Sequence, residues 1–455
     1  AAENDTATTI FPALSVYQAL GVQNIDSANL TVINSAINNV TAADTSTFLQ
    51  VQSVIDSYNN ILTVADGVDD NGGQPSLQDY ANLGINSVDD SAEVSLLADV
   101  LDKANATQVD TTQELQALAN AVDAVTNSAA GAGSVTSVQL SALGMTGVTS
   151  DNIAAINQAI EATADDGSGV DSLVELAALV GTTVTQASSA ISTISDAAQN
   201  DSATNTRPSE LIYQQAGIIG VDSANLAALN SILNAPNVSA TEAASSAQVQ
   251  SIVDSLNLLV DAANSINDDA SKGSAQDYIN LGISDLDTSE KLALMGDVID
   301  IKALADIDAH SELQAIADAV SAVMTGAAGG VDATQAQLDL LGLSGVTSDN
   351  LIAVLQAITD TADDSSQVQS LSDLQTIVSS ASAAASSALI IIRDAAENNT
   401  ASASYPALSV YQAAGVTGVD GANLAAINSV LNHIAATSAD TAAEVQTLVG
   451  SYSKV

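Results

Sequence analysis

The chain has no cysteine and no tryptophan, and only seven lysines and arginines against 54 aspartates and glutamates. Without cysteine, neither a disulfide framework nor a thiolate metal site can form. Aromatic residues make up 2% of the sequence, so its cores must be built mainly from alanine, leucine, isoleucine and valine. Such thin cores favour small helical bundles over a large enzyme.

The shortage of bases gives a formal net charge of -47. Nucleic acid is excluded as a partner, because almost nothing could neutralise phosphates, and anionic membrane surfaces are disfavoured for the same reason. Acids are near ordinary abundance, which argues against a halophile. We expect a soluble extracellular chain whose copies repel one another.

Long apolar runs are also scarce. A membrane-spanning helix needs roughly 18 apolar residues, and the best run, Ala388–Ile392, stops at Arg393. We therefore expect no membrane span. The opening residues Ala1–Thr6 do not resemble a signal peptide.

What the sequence does contain is a short signature that recurs seven times. Its glycine is preceded four positions earlier by tyrosine or leucine and followed by an apolar residue, and five positions after it stands Asp or Thr. The seven glycines are Gly21, Gly84, Gly144, Gly217, Gly282, Gly342 and Gly415.

The physical interpretation of this signature is helix, turn, helix. Glycine is favoured just past a helix end, where the backbone is often left-handed. The Asp or Thr then supplies an N-cap for the next helix. The sequence therefore predicts an all-α protein.

Spacings of 60 to 73 residues between these glycines repeat in order, so the signature belongs to three segment types, arranged A-B-C-A-B-C-A. We expect seven small three-helix bundles in tandem. Their bounds are A1 1–66, B1 74–130, C1 134–200, A2 206–266, B2 272–328, C2 332–398 and A3 404–455.

Details differ between the types. Type A begins at Pro12, Pro208 and Pro406, which we place at the first helical position. Type C continues from about 172 to 198 and from about 370 to 396 with few helix breakers, which predicts one long third helix in each. Polar breaks follow at 200–206 and 398–404.

Residues 1–6 resemble 197–202 and 395–400, so the sequence starts within a repeat boundary. Two interpretations stay open. The chain is a window from a longer array, or it is a subunit whose terminal segments dock head to tail with neighbouring copies into an open filament.

Candidate chemistry is sparse. His310 and His433 lie in different segment types, and we expect His433 to be a surface residue. The carboxylate pairs Asp165-Asp166 and Asp363-Asp364 precede the third helix of type C, where the helix dipole would stabilise them. No catalytic, cofactor-binding or metal site is predicted.

Two further patterns have structural explanations. The loop Asp66–Gly73 is rich in oxygen ligands, as calcium loops are, but its sister, Asn264–Lys272, loses the first aspartate and the glycines, which favours a polar loop. Sequons, expected by chance in a chain so rich in Asn, Ser and Thr, stand at Asn4, Asn29, Asn39, Asn105, Asn200, Asn237 and Asn398.

The segment Met145–Asn157, and the run Asn-Leu-Ala-Ala-Ile-Asn at Asn423–Asn428, resemble the GA and GA-like three-helix modules of large bacterial surface proteins. The resemblance covers all seven segments through a short motif. It implies an up-down-up bundle within a secreted adhesin or matrix protein. Some family members bind serum albumin through the second helix, but the aromatic and lysine side chains of that region are missing here.

Two hypotheses about function follow. The first is a non-enzymatic structural array, the stalk or body of an extracellular fibre, adhesin or matrix protein, with copies of itself as partners; seven segments of about 30 Å would extend on the order of 200 Å. The alternative is a binding module that grips a host or neighbouring-cell protein through the faces of its second helices.

Overall fold

The computed structural model describes Ala2 and residues 11–69, 73–198, 207–266, 273–396 and 404–452. Within these residues the chain forms 21 α-helices and four short 3-10 helices, with two isolated β-bridges and no strand. The all-α prediction is confirmed. The expected polar breaks at 200–206 and 398–403 and the opening segment 3–6 lie outside the described residues.

The chain divides into two compact units. The first comprises Ala1–Ile194, Leu211–Ile219 and Ser245–Ala247. Its helices are α1 Leu14–Leu20, α2 Leu30–Asn39, α3 Phe48–Val64, α4 Leu77–Asn82, α5 Ser91–Lys103, α6 Thr112–Ala129, α7 Ser137–Ala142, α8 Ile153–Glu161, most of α9 Leu173–Ala197 and most of α10 Glu210–Gln215.

The second unit comprises Ser195–Glu210, Gly220–Ala244 and Gln248–Val455. Its helices are α11 Leu226–Leu233, most of α12 Ser246–Ala262, α13 Ala275–Asn280, α14 Ser289–Asp300, α15 His310–Ala327, α16 Gln335–Leu340, α17 Leu351–Thr359, α18 Leu371–Ala395, α19 Leu408–Ala413, α20 Leu424–Leu431 and α21 Ala442–Tyr452. The helices α9 and α18, each of 25 residues, are the long helices predicted for type C.

The recurring turn adopts the predicted geometry. All seven signature glycines have φ between +68° and +83°, the left-handed region in which a side chain is strained. Where the turn follows α4, the Ile85 amide donates to the Tyr80 carbonyl at 3.0 Å. This hydrogen bond, six residues back to one, is that of a Schellman helix end, and it recurs at five other turns.

A second left-handed residue, three positions after each glycine, was not predicted. It is Asn24, Ser87, Gly147, Gly220, Asp285, Gly345 or Gly418. These residue types tolerate positive φ, so the sequence did carry the signal. Each turn therefore reverses the chain with two left-handed residues.

The predicted N-cap was displaced. In types A and C the residue before the second helix is an asparagine: Asn225 accepts from the amide of Asp222 at 3.0 Å and donates to the carbonyl of Gly220 at 2.7 Å. In type B the N-cap is one residue later than expected, at Asp90 and Thr288. The expected caps instead close turns ahead of the helix, because the chain makes an extra turn before it becomes helical.

Proline was also placed wrongly. Pro12 and Pro406 stand one residue before the N-caps Ala13 and Ala407, not at the first helical position. There the Pro406 carbonyl accepts from Asn428, whose oxygen accepts from the buried Tyr411 hydroxyl, at 3.0 Å and 2.8 Å. Burial raises the pKa of Tyr411 to about 12.

The segment boundaries do not separate cores. In the first unit, one contiguous cluster of buried side chains extends from Tyr17 to Val180, through A1, B1 and C1. The long helix of one segment packs on the short helix of the next, as α3 does on α4 and α6 on α7. In the second unit, α18 packs in the same way on α19, and a cluster from Ala388 to Val449 is buried there.

Helix α18 requires a correction to the membrane analysis. By length and composition alone it could cross a bilayer, with a mean hydropathy of 1.5 over 18 residues, of which 22% are buried. The search for an unbroken apolar run missed it because alanine counts in a window average. In the fold, Leu374, Val378, Ala385 and Ile392 of this helix are buried, and Ser386 and Ser387 donate to carbonyls one turn back.

Two buried tyrosines provide a test of the polar network. We expect Tyr411→Phe to lower the free energy of unfolding by about 1 to 2 kcal/mol, because the Asn428 oxygen loses its donor. Among the described residues the Tyr80 hydroxyl has no hydrogen-bond partner, so Tyr80→Phe should be neutral or stabilising. Urea denaturation of both variants measures the difference, and an equal loss in the two would contradict it.

Candidate functional site

The strongest candidate for a functional element is the recurring turn, because it touches the segment before it. A Cβ atom built on Gly217 would lie 2.4 Å from the Ala155 nitrogen in α8, and one on Gly415 would lie 2.8 Å from the Ala353 nitrogen in α17. Both distances are too short for any side chain. These type A glycines therefore let the turn dock on the second helix of the preceding type C segment.

Polar side chains fasten the docked turns. At the ends of the type A second helices, Asn39 donates to the Gly84 carbonyl at 3.2 Å and Asn237 to the Gly282 carbonyl at 3.0 Å. After type B, the Lys302 ammonium donates to the Leu340 carbonyl at 2.7 Å, and after C1, Gln158 donates to Gly217 at 3.2 Å. Donors of different types thus perform the same task at different junctions.

Within a segment, a glutamine from the third helix holds the turn. Gln116 accepts from the Asn86 amide at 2.9 Å and donates to the Asn86 carbonyl at 2.7 Å, as a neighbouring strand would. Matching contacts to the residue two after the glycine are made by Gln52, Gln314, Gln375 and Gln446.

One turn is open. Around Gly144 lies a cavity of about 580 Å³, bounded by Lys103, Leu143, Met145, Leu173 and Ala177 among others. At the sister turn the corresponding residues are larger or point inward. Ile301 approaches Gly342, Lys302 bonds to Leu340, and Gln375 stands in place of Ala177.

The two histidines have structural roles. His310 is buried at the start of α15, and its Nε2 lies 3.2 Å from the Gly282 carbonyl, the same oxygen that Asn237 contacts. His433 is exposed, as predicted, and its Nδ1 lies 2.6 Å from the Ser429 carbonyl. Neither ring contacts a nucleophilic side chain in these hydrogen bonds.

The carboxylate pairs are not at a helix start. Asp166 and Asp364 close tight turns by accepting from the amides of Ser168 and Ser366 at 3.1 Å and 3.0 Å. Hydrogen bonds from these serines hold the pKa of both carboxyls below the ordinary value. A lowered pKa is the opposite of what a general acid needs.

The calcium-like loop is described only in part, since residues 70–72 lie outside the described residues. Asp66 accepts from the Val68 amide at 2.8 Å, and Asp69 pairs with Lys103 at 2.8 Å. In the sister loop, the neutral Asn264 makes the same contact with the Ile266 amide. A contact that an amide can make does not require calcium.

One acidic group that sequence inspection missed is Asp89, Asp90 and Glu93, whose ligand atoms lie within 4.8 Å of one another. Glu93 is 3% exposed and accepts from the amides of Asp89 and Asp90 and from the Thr126 hydroxyl. Its oxygens therefore serve the start of α5. In B2 the equivalent residue is Lys291, paired with Asp287 at 2.7 Å.

Four sequons lie within the described residues, and each asparagine side chain donates a hydrogen bond. Asn29 and Asn105 donate within their turns, whereas Asn39 and Asn237 hold the docked turns. Asn4, Asn200 and Asn398 lie outside the described residues.

The sequence located the turn but not its partners. The clamping residues Asn39, Gln116, Gln158 and Lys302 differ in type, and their partner is a backbone carbonyl, which leaves no trace in a sequence. The recurrence of glutamine at equivalent positions of the third helix was the one available signal. Chemically, the turns bind one segment to the next.

Comparison with family models, with curated proteins and with solved structures finds no match to this chain.

Gly21 and Gly217 are matched for a test of docking, since both have φ of +76°. Alanine at either position pays about 1 to 2 kcal/mol for a left-handed backbone. At Gly217 it also meets α8, whereas at Gly21 no atom lies within 4 Å. We expect Gly217→Ala to cost about 1 to 3 kcal/mol more than Gly21→Ala, measured by urea denaturation. Equal costs would mean that the turn does not dock.

Burial, more than any other factor, raises the pKa of Glu93. The protonated carboxyl is therefore favoured in the folded state, and its stabilising contribution is full below the unfolded pKa and lost as pH rises through the folded pKa. We expect acidification from neutral pH to stabilise the native chain relative to Glu93→Gln, which cannot titrate. Thermal midpoints of the two proteins between pH 7 and pH 4 check the sign, and a constant difference would refute it.

Proposed function

We propose that the chain is a non-enzymatic structural array, the stalk or body of an extracellular fibre, adhesin or matrix protein. Its units are seven three-helix modules in the order A-B-C-A-B-C-A, joined by the docking turns rather than hung on free linkers. The observation that carries this proposal is the shared core from Tyr17 to Val180. Modules that share a core make a continuous body, as in solenoid repeat proteins.

The chemistry of the described residues supports a role without catalysis. His310 and His433 both meet backbone carbonyls, and the pKa of Asp166 and of Asp364 is lowered by turn hydrogen bonds. Polar side chains that a pocket would present to a substrate are instead used to hold turns.

The surface supports exposure to solvent without nucleic-acid or anionic partners. A net charge of -47 repels neighbouring arrays and keeps them soluble. The extracellular location is supported by this charge and by the resemblance to GA-like modules of bacterial surface proteins. The alternative, recognition of another protein through the second helices, has less support, because helices such as α2 and α11 bury much of their surface.

Small-angle scattering tests the extended array. A compact chain of this length has a radius of gyration of about 22 Å, whereas a rod on the order of 200 Å has roughly two to three times that value. We expect the larger value after extrapolation to zero concentration, where contacts between copies do not contribute. A value near the compact one would refute the stalk.

A further inference from the structure

The residue immediately before each signature glycine reports whether its turn is docked. In the six segments that follow another segment it is at most 2% exposed: Leu83, Leu143, Ala216, Leu281, Leu341 and Ala414. In A1 the same position is Leu20, which is 56% exposed. Val16 and Phe11, on the same short helix and just before it, are also exposed. We call Phe11, Val16 and Leu20 the head.

A3 carries the opposite half of this contact. Val430, Ile434, Leu448 and Tyr452 line an apolar groove of about 680 Å³ between α20 and α21, and Val430 is 39% exposed. We call these four residues the tail. The equivalent residues of A1 and A2 are at most 4% exposed: Ala36, Val40, Val54, Tyr58, Ile232, Val238, Ile252 and Leu256.

Side-chain size matches the head to this tail. Turns that dock on type A or type B carry leucine before the glycine, at Leu83, Leu281, Leu143 and Leu341, whereas turns that dock on type C carry alanine, at Ala216 and Ala414. Leu20 belongs to a type A segment but has the leucine of turns that dock on type A or B. A type A tail is therefore a fitting partner for it.

The polar groups of the groove also suit an apolar partner. In A1, Ser57 accepts from Asn82 of the docked helix at 3.0 Å. The equivalent Ser451 donates to the Thr447 carbonyl of its own helix at 2.8 Å, and the head has Ala19 where B1 has Asn82. No hydrogen bond of Ser451 depends on an incoming amide.

We propose that copies of this chain dock head to tail, with Leu20 of one copy entering the groove of Val430, Ile434, Leu448 and Tyr452 on the next. The contact repeats between copies the one that A1 makes with B1 inside the chain. Because head and tail are different surfaces, the contact is heterologous and each copy leaves one of each free, so the assembly stays open. The proposal rests on the structural role proposed above and names the partner.

Charge sets the conditions of association. Two chains of -47 repel, and at roughly 1 M salt the screening length falls to about 3 Å. In sedimentation velocity at that salt, the weight-average mass of the native chain should rise with concentration above 45.5 kDa, and less so at low salt. A chain that stays monomeric at every concentration and salt overturns the proposal.

Two variants identify the surfaces. Leu20→Glu blocks the head and Val430→Glu blocks the tail, and both side chains are exposed in the single chain, so folding is preserved. Each variant alone should associate at least about tenfold more weakly than the native chain, the effect of about 1.4 kcal/mol. Val138→Glu, at a residue 77% exposed outside both surfaces, is the control and should associate normally.

Mixing the variants settles the polarity. Leu20→Glu keeps an intact tail and Val430→Glu an intact head, so the mixture should form dimers and nothing larger. Association of either variant with itself at native strength would mean head-to-head or tail-to-tail contact and would overturn the proposal. A monomeric chain with a large radius of gyration would refute docking between copies while leaving the stalk intact.

Discussion

The structure depends on a constraint at one backbone position, the left-handed glycine that ends each short helix. Only glycine takes this conformation without strain, and at Gly217 and Gly415 only glycine leaves room for the neighbouring helix. The same residue therefore ends a helix and allows the next contact. Because the turn is reinforced by a second left-handed residue and by a glutamine clamp, the chain leaves each turn in one direction.

Packing across segment boundaries explains how a chain so poor in aromatics forms a buried core. A separate bundle of about 60 residues buries only about 60% of its unfolded surface and is marginally stable. Side chains from A1, B1 and C1 instead join one cluster, and the third helix of one segment is covered by the first helix of the next. Tyrosine is used sparingly, with Tyr58, Tyr80, Tyr278 and Tyr411 all fully buried.

Sequence reasoning predicted the helices, the left-handed glycines and the long α9 and α18, because repetition supplies several readings of one local rule. It misplaced the caps at Asp26 and Asp89, since both side chains are equally able to close a turn or cap a helix and only the chain path decides. It missed the shared core altogether, because periodicity shows which face is apolar and not which element covers it. The docking residues Asn39 and Lys302 were invisible for the same reason.

The continuous core of the first unit has a mechanical consequence. Beads on flexible string lengthen under tension by opening one bead at a time, each at a similar force. Here a segment cannot open without exposing the apolar side chains of its neighbour, so stretching the region from Tyr17 to Val180 must shear several helices together. Such a body resists small loads stiffly and yields in one large event, which suits a tether that must keep its length in flow.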